Sequence, residues 1–262
     1  MLLALSGAAA APGGNVVENL QYRVDILGWP EAGVAGIVLK SLGPGRYQAE
    51  VTGELKGIFA LLSGHRRDTY STEMVWREGL LKPVVYREES RRRGRLDLKE
   101  YRFDYDRGTV EMWQPKEGEG LVRRWQGNLK GPVYDLVSAF YNCRLGLLGP
   151  LEPGQTLKIT GIPYPEPEEF QLRLGSVTQE GGQAMVAITN EIFENKRGVV
   201  FVQYDGGRVP TGAWTRILGF GKIVAILLPA GKTLKGPLPE AAADPKISPA
   251  SPLISAAKMI NK

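Results

Sequence analysis

Few residues in this chain of 262 have the chemistry of a catalytic centre: there is one cysteine, Cys143, and one histidine, His65. Cys143 lies in "YDLVSAFYNCRLG" (134–146), the one stretch that stops reading as β-structure. A cysteine works as a nucleophile only when a base or positive field makes it a thiolate. At 100° per residue Leu136, Phe140, Cys143 and Leu147 fall in a narrow apolar stripe, while Ser138, Tyr141 and Arg144 point elsewhere. Cys143 is therefore expected to be buried and quiet, a plug for a sheet. Ser138 has no G-x-S-x-G around it, and the sole histidine is far off in sequence. One cysteine excludes an internal disulfide and a multi-thiolate metal site, and one histidine leaves a His-rich site without a second imidazole. No catalytic residue, metal ligand or cofactor is expected.

Other constellations read the same way. Asp104 and Asp106 share a strand face, but Asp106 sits at a turn with Arg102 and Arg107 nearby, which reads as a solvated, charge-balanced surface. "GFGKIV" (219–224) opens like a dinucleotide loop, yet Val224 stands at the third glycine position and no helical pattern follows; it reads as a hairpin turn. "SRRRGR" (90–95) has the charge to grip phosphates but no interleaved aromatics, so it reads as an exposed hairpin tip and not a nucleic-acid platform. The formal charge of +5 and pI near 9.2 favour acidic partners, although an ordinary basic surface explains them too. Five tryptophans spread through the chain suit large core or cavity positions.

The elements that must position these residues are strands. "NLQYRVDILG" places Leu20, Tyr22, Val24 and Ile26 on one face. Similar runs continue, with turns at "GPG" (43–45), Asp106-Arg107-Gly108 and Asp205-Gly206. In "RLDLKEYRFDY" Leu96 and Leu98 are even and Tyr101, Phe103 and Tyr105 odd, so a β-bulge near Lys99-Glu100 is expected to restore one apolar face. Ten to twelve strands and one helix predict a mainly antiparallel all-β sandwich or barrel. The N-terminus "MLLALSGAAAAPGG" (1–14) resembles the back half of a signal peptide, with cleavage near Ala10 or Ala11. Export to the periplasm follows; a cytoplasmic protein with an Ala-rich start is the alternative. Residues 15–229 read as one β-rich domain and 230–262 as a Pro-rich, mostly disordered tail.

Several segments together resemble the bacterial envelope family DUF3108 (domain of unknown function 3108). They are "ENLQYRVDILGWPEAGVAGI", "LLSGHRRDTYSTEMV", "YDLVSAFYNCRLGLLGPLEPGQTLKI" and "YDGGRVPTGAWTRILGFGKIVAILLP". The family helix pattern D-x-x-S-x-x-Y-x-x-R is met by Asp135, Ser138, Tyr141 and Arg144, and its closing turn by Asp205, Arg208 and Pro210. Tyr204-Asp205 departs from the two acidic residues usual before that turn. The resemblance implies a curved open barrel, similar to lipoprotein-carrier (LolA) and lipocalin-like folds, with one covering helix near 134–147. It supplies no reaction.

The functional expectation is an exported, non-enzymatic envelope protein that binds a hydrophobic or lipid-like ligand in its curved sheet and is peripheral to the membrane at most. The ligand would sit in an apolar pocket of at least ~300 Å³ beside the helix, approached by Phe140 and Tyr141. An envelope scaffold that binds partner proteins through a sheet edge is the alternative. A hydrolase is the weakest reading, since neither Ser138 nor Cys143 has a credible base.

Overall fold

Period-two alternation gives each segment one apolar face, and only pairing with neighbours satisfies its backbone. The computed structural model describes residues 14–149, 152–162, 166–178, 180–189, 197–217, 221–235 and 239. The chain first runs through β1 (Asn15–Ile26), β2 (Trp29–Gly43), β3 (Arg46–Leu55), a short helix α1 (Gly57–Ser63), β4 (Arg67–Arg77) and β5 (Leu80–Arg92). Next come β6 (Arg95–Asp104), β7 (Thr109–Lys116), β8 (Gly120–Asn128) and helix α2 (Leu136–Arg144). The last run is β9 (Thr156–Gly161), β10 (Glu168–Thr178), β11 (Gly181–Thr189), β12 (Arg197–Asp205), β13 (Pro210–Ile217) and β14 (Gly221–Leu234).

All of these strands join one antiparallel sheet in the order β8-β7-β6-β5-β4-β3-β2-β1-β14-β13-β12-β11-β10-β9. Every strand lies beside its sequence neighbour except at two places. β14 returns to pair with β1, and β8 and β9 do not pair, leaving two edges. Helix α2 occupies the connection between those edges and packs on β3, β4, β5 and β9, so the sheet curls around it as an open barrel. No helix among the described residues is long and apolar enough to cross a membrane.

The core falls into three clusters, the smallest being Leu20, Tyr22 and Val209 where β1 meets the β12–β13 turn. One, under β1–β7, includes Leu39, Met74, Leu81, Val110 and the stacked pair Tyr86 and Tyr101, whose ring centroids lie 5.9 Å apart. Another, under β9–β11, is built on Leu157, Ile159 and Leu172. Tight hairpins connect the strands. At Leu27-Gly28 and Arg93-Gly94 both central residues have positive φ, the twist-matched turn that favours glycine second.

Four expectations need correction. The described residues hold fourteen strands and two helices, where ten to twelve strands and one helix were expected; α1 was not anticipated. The expected bulge in β6 is absent: Arg95 to Arg102 pair regularly with β5, and Glu100 to Asp104 with β7. Leu96 is 49% exposed near a turn, and Glu100, on the same face as Leu96 and Leu98, is buried between Arg87 and Arg102. That face is the outer one, where a few apolar residues cost little. Trp29 is exposed, and the other four tryptophans are half-buried. β14 runs to Leu234, beyond the expected domain end at 229. The signal-like segment up to residue 13 and the tail from 240 lie outside the described residues.

Candidate functional site

Helix α2 separates two environments. The face made by Val137, Ser138, Tyr141 and Asn142 is buried against the β1–β7 sector, while Leu136, Phe140 and Cys143 are half-buried and line the space on the other side; Phe140 and Leu147 also touch the β1–β7 core. The sequence stripe is thus divided between core and cavity.

Polar bonds do the docking. Asp135 caps the helix, its Oδ1 accepting from the Val137 and Ser138 amides at 2.8 and 2.9 Å. Ser138 Oγ returns an acceptor to the Asp135 N–H at 3.0 Å, completing a capping box. Thr72 on β4 donates to Asp135 Oδ2 at 2.8 Å. Burial raises the Asp135 carboxyl above its usual range, although these donors pull it back. Pairing between β5 and β6 stops at Val85 and Arg102, and further along β5 the Asn142 amide takes over. It accepts from the Leu81 N–H at 3.0 Å and donates to the Leu81 carbonyl at 2.8 Å. At its start the helix also hooks onto the β9 edge, where Tyr134 bridges in parallel to Gly161.

At its far end α2 meets Glu18 of β1. Arg144 Nη1 lies 2.7 Å and the Tyr141 hydroxyl 3.0 Å from the same carboxylate oxygen, Oε1. Glu18 and Arg144 are 0% and 3% exposed at their side chains. A register shift between Val16 and Glu18 leaves Val17 without a β2 partner, and both Val17 and Glu18 end up buried. Burial, then the Glu18 charge, pushes the Tyr141 phenol well above its usual range.

The "DGGRVP" turn closes the arrangement. Asp205 Oδ1 accepts from the Val209 N–H at 2.8 Å, and Lys232 binds its other oxygen at 2.7 Å. Burial alone would raise this carboxyl, but Lys232 and the backbone amides hold it below the usual range. Arg208, at φ +57°, donates to the Arg144 carbonyl at 3.3 Å, and Tyr22 donates to the Pro210 carbonyl at 2.9 Å. All seven motif residues therefore fasten the helix, the turn and β1 together. Sequence reasoning missed Glu18 and Asn142. Glu18 carried a signal, because it shares the alternation of Leu20 and Tyr22.

On the other face of α2 lies a cavity of about 240 Å³. The helix contributes Leu136, Ala139, Phe140 and Cys143 to its wall. Across from them Leu172, Leu174, Ala184, Val186 and Val202 project at period two from β10, β11 and β12. Polar groups enter only from Arg144, Tyr204 and Arg208, toward the "DGGRVP" turn. The volume falls short of the expected ~300 Å³. Phe140 lines the cavity; Tyr141, expected to approach it, is fully buried on the opposite face, and no tryptophan lines it. Cys143 is half-buried in the cavity wall instead of sealed in the core. Burial without a charged neighbour pushes its thiol up to about 12, so it stays protonated at neutral pH. His65 is exposed after α1, with its N–H bonded to the Ala60 carbonyl. Among the described residues no three His, Cys, Asp or Glu side chains gather as a metal site requires.

No curated protein matches this sequence. A crystal structure titled as a beta-barrel-like protein of domain of unknown function DUF1849 from Brucella abortus is similar over 82% of this chain and 97% of that one, at 8% identity and a TM-score of 0.47. The family described as protein of unknown function (DUF3108) matches residues 21–181, a span that includes β1 from Gln21, all of α2 and four of the seven motif positions. The chain belongs to the DUF3108 family.

Proposed function

We propose that this is a non-enzymatic binding protein of the bacterial envelope that holds a slender hydrophobic or lipid-like ligand in the cavity between α2 and β9–β12. The observation behind this reading is the cavity wall: apolar side chains from six elements converge on one void, with polar atoms only at one end. Its size, about 240 Å³, is small for a ligand pocket and suits a single chain better than a bulky ring system. Arg208, exposed at the polar end, is placed to meet a ligand's polar head. A non-enzymatic role fits the state of the two candidate nucleophiles. Ser138 Oγ is committed to the capping box, and Cys143 has no base. Export belongs to the same proposal and rests on residues 1–14, where N-terminal sequencing of natively expressed protein tests it.

Binding of an apolar fluorescent probe to the folded protein is the direct test. Saturable binding that Ala184→Phe abolishes, with unfolding otherwise unchanged, is the expected result. A probe that does not bind, or binds equally to the filled variant, sinks the carrier reading. The scaffold reading then takes its place, favoured by β8, which has no strand on its outer side among the described residues.

A further inference from the structure

At the end of the barrel where β1 turns into β2, apolar side chains face outward. Helix α1 is amphipathic in the reverse of the usual sense. Ala60 and Ser63 are buried, whereas Ile58, Leu61 and Leu62, spaced i, i+3, i+4, are 53%, 62% and 64% exposed. Beside them Leu27 and Trp29 are 68% and 64% exposed, and Trp29 meets Phe59 edge to face at 6.4 Å. A backbone bond from the Lys56 N–H to the Ala32 carbonyl, 2.7 Å, ties α1 to β2, so Trp29 and the outer face of α1 form one patch, with Leu27 on the adjoining β1–β2 turn.

The arginine-rich tip of the β5–β6 hairpin lies against this patch. Arg93 donates its N–H to the Gly64 carbonyl at 2.8 Å, and its side chain packs over Gly64. Arg91 has Glu89 at 3.8 Å; Arg92, Arg93 and Arg95 have no carboxylate within ion-pair distance among the described residues. An exposed apolar patch of this kind marks an interaction site. Its occupant must accept aliphatic side chains and one tryptophan, and must be negative where the arginines lie. A single-stranded nucleic acid would be met by stacking aromatics, not by leucine and isoleucine. An anionic bilayer surface satisfies both halves, with Leu, Ile and Trp entering the headgroup boundary and arginines meeting phosphates.

We infer that this end of the barrel docks onto anionic lipid surfaces, with α1 and Trp29 as the inserted part and the Arg91–Arg95 hairpin as the electrostatic anchor. The inference is independent of the cavity. Co-sedimentation of the full chain with vesicles tests it, using phosphatidylcholine alone and an equimolar mixture with phosphatidylglycerol. The mixed vesicles should bind roughly tenfold or more tightly, and binding should weaken as salt is raised. Leu61→Ser/Leu62→Ser and Arg92→Glu/Arg93→Glu should each reduce binding by roughly tenfold or more. Both pairs alter exposed positions, so melting temperatures should match the wild type. The tryptophan emission shift on vesicles should disappear in Trp29→Phe. Absence of binding, equal binding to neutral vesicles, or variants that bind like wild type would each overturn the inference. So would self-association of the wild type that the double serine variant removes, which would assign the patch to a second copy.

Discussion

Glu18 is bonded through one carboxylate oxygen to both Arg144 and Tyr141, while its Oε2 and the Arg144 Nε and Nη2 are buried without hydrogen-bond partners among the described residues. Such a pair contributes position more than stability, because desolvation consumes much of the attraction. Removing one partner strands the other. Glu18→Leu and Arg144→Met should each cost about 3–5 kcal/mol in urea unfolding, and the double variant should cost less than either alone. Additive losses would show that the two residues act separately. Cys143 differs in kind: with its thiol pushed up to about 12, it should label slowly at neutral pH in the folded protein. Cys143→Ala should lose only ~1 kcal/mol, since a wall that already borders a void has less packing to lose. On the outer face, burial alone would raise Glu100, but Arg87 and Arg102, each at 2.6 Å, hold it below the ordinary glutamate range. Its contribution to stability is therefore full above the unfolded-state value and is lost as pH falls through its own lower one. Glu100→Gln should flatten the acid limb of a stability-against-pH curve; an unchanged limb would count against this account.

At the scale of elements, α2 is held by a side chain doing a strand's work. Asn142→Ala leaves both backbone groups of Leu81 buried and unpaired, and a loss of about 2 kcal/mol or more is expected, with faster amide exchange at Leu81. If Leu81 exchange is unaffected, the clamp is not what secures the helix. The same clamp explains what could be read from sequence. Strand alternation in β1, the Asp205-Gly206 hairpin, the existence of α2, its Asp135 cap and the apolar stripe of Leu136, Phe140 and Cys143 were all legible as local patterns. Which side of α2 faces the core was not. An apolar stripe normally marks the buried side, but here the sheet offers an unfinished backbone at Leu81 and a carboxylate at Glu18, and polar residues are drawn to them. Glu18 and Arg144 are 126 residues apart, a separation over which no spacing rule operates. β6 misled for a simpler reason, since Leu96 lies near a hairpin tip where exposure is cheap. α1 went unseen because its outward apolar face imitates a core segment while its buried side is only Ala60 and Ser63.

Across the whole molecule, one continuous ladder runs from β8 to β9, with β1 and β14 paired on both sides near its middle. Amide exchange should therefore be slowest in β1 and β14 and fastest along the outer edges of β8 and β9; equal protection throughout would contradict an open barrel. The same layout imposes an order in time. As the chain is made, β2 to β8 each find a partner in the strand before them, so that half of the sheet can form early. The other side of β1 must wait until Leu227 emerges to sit opposite Tyr22. Until then a long strand edge is open to any strand that arrives first. Such distant pairings close slowly. The join that makes the finished sheet continuous is thus its last to form, and the outer edge of β1 remains open to mispairing until β14 has been made.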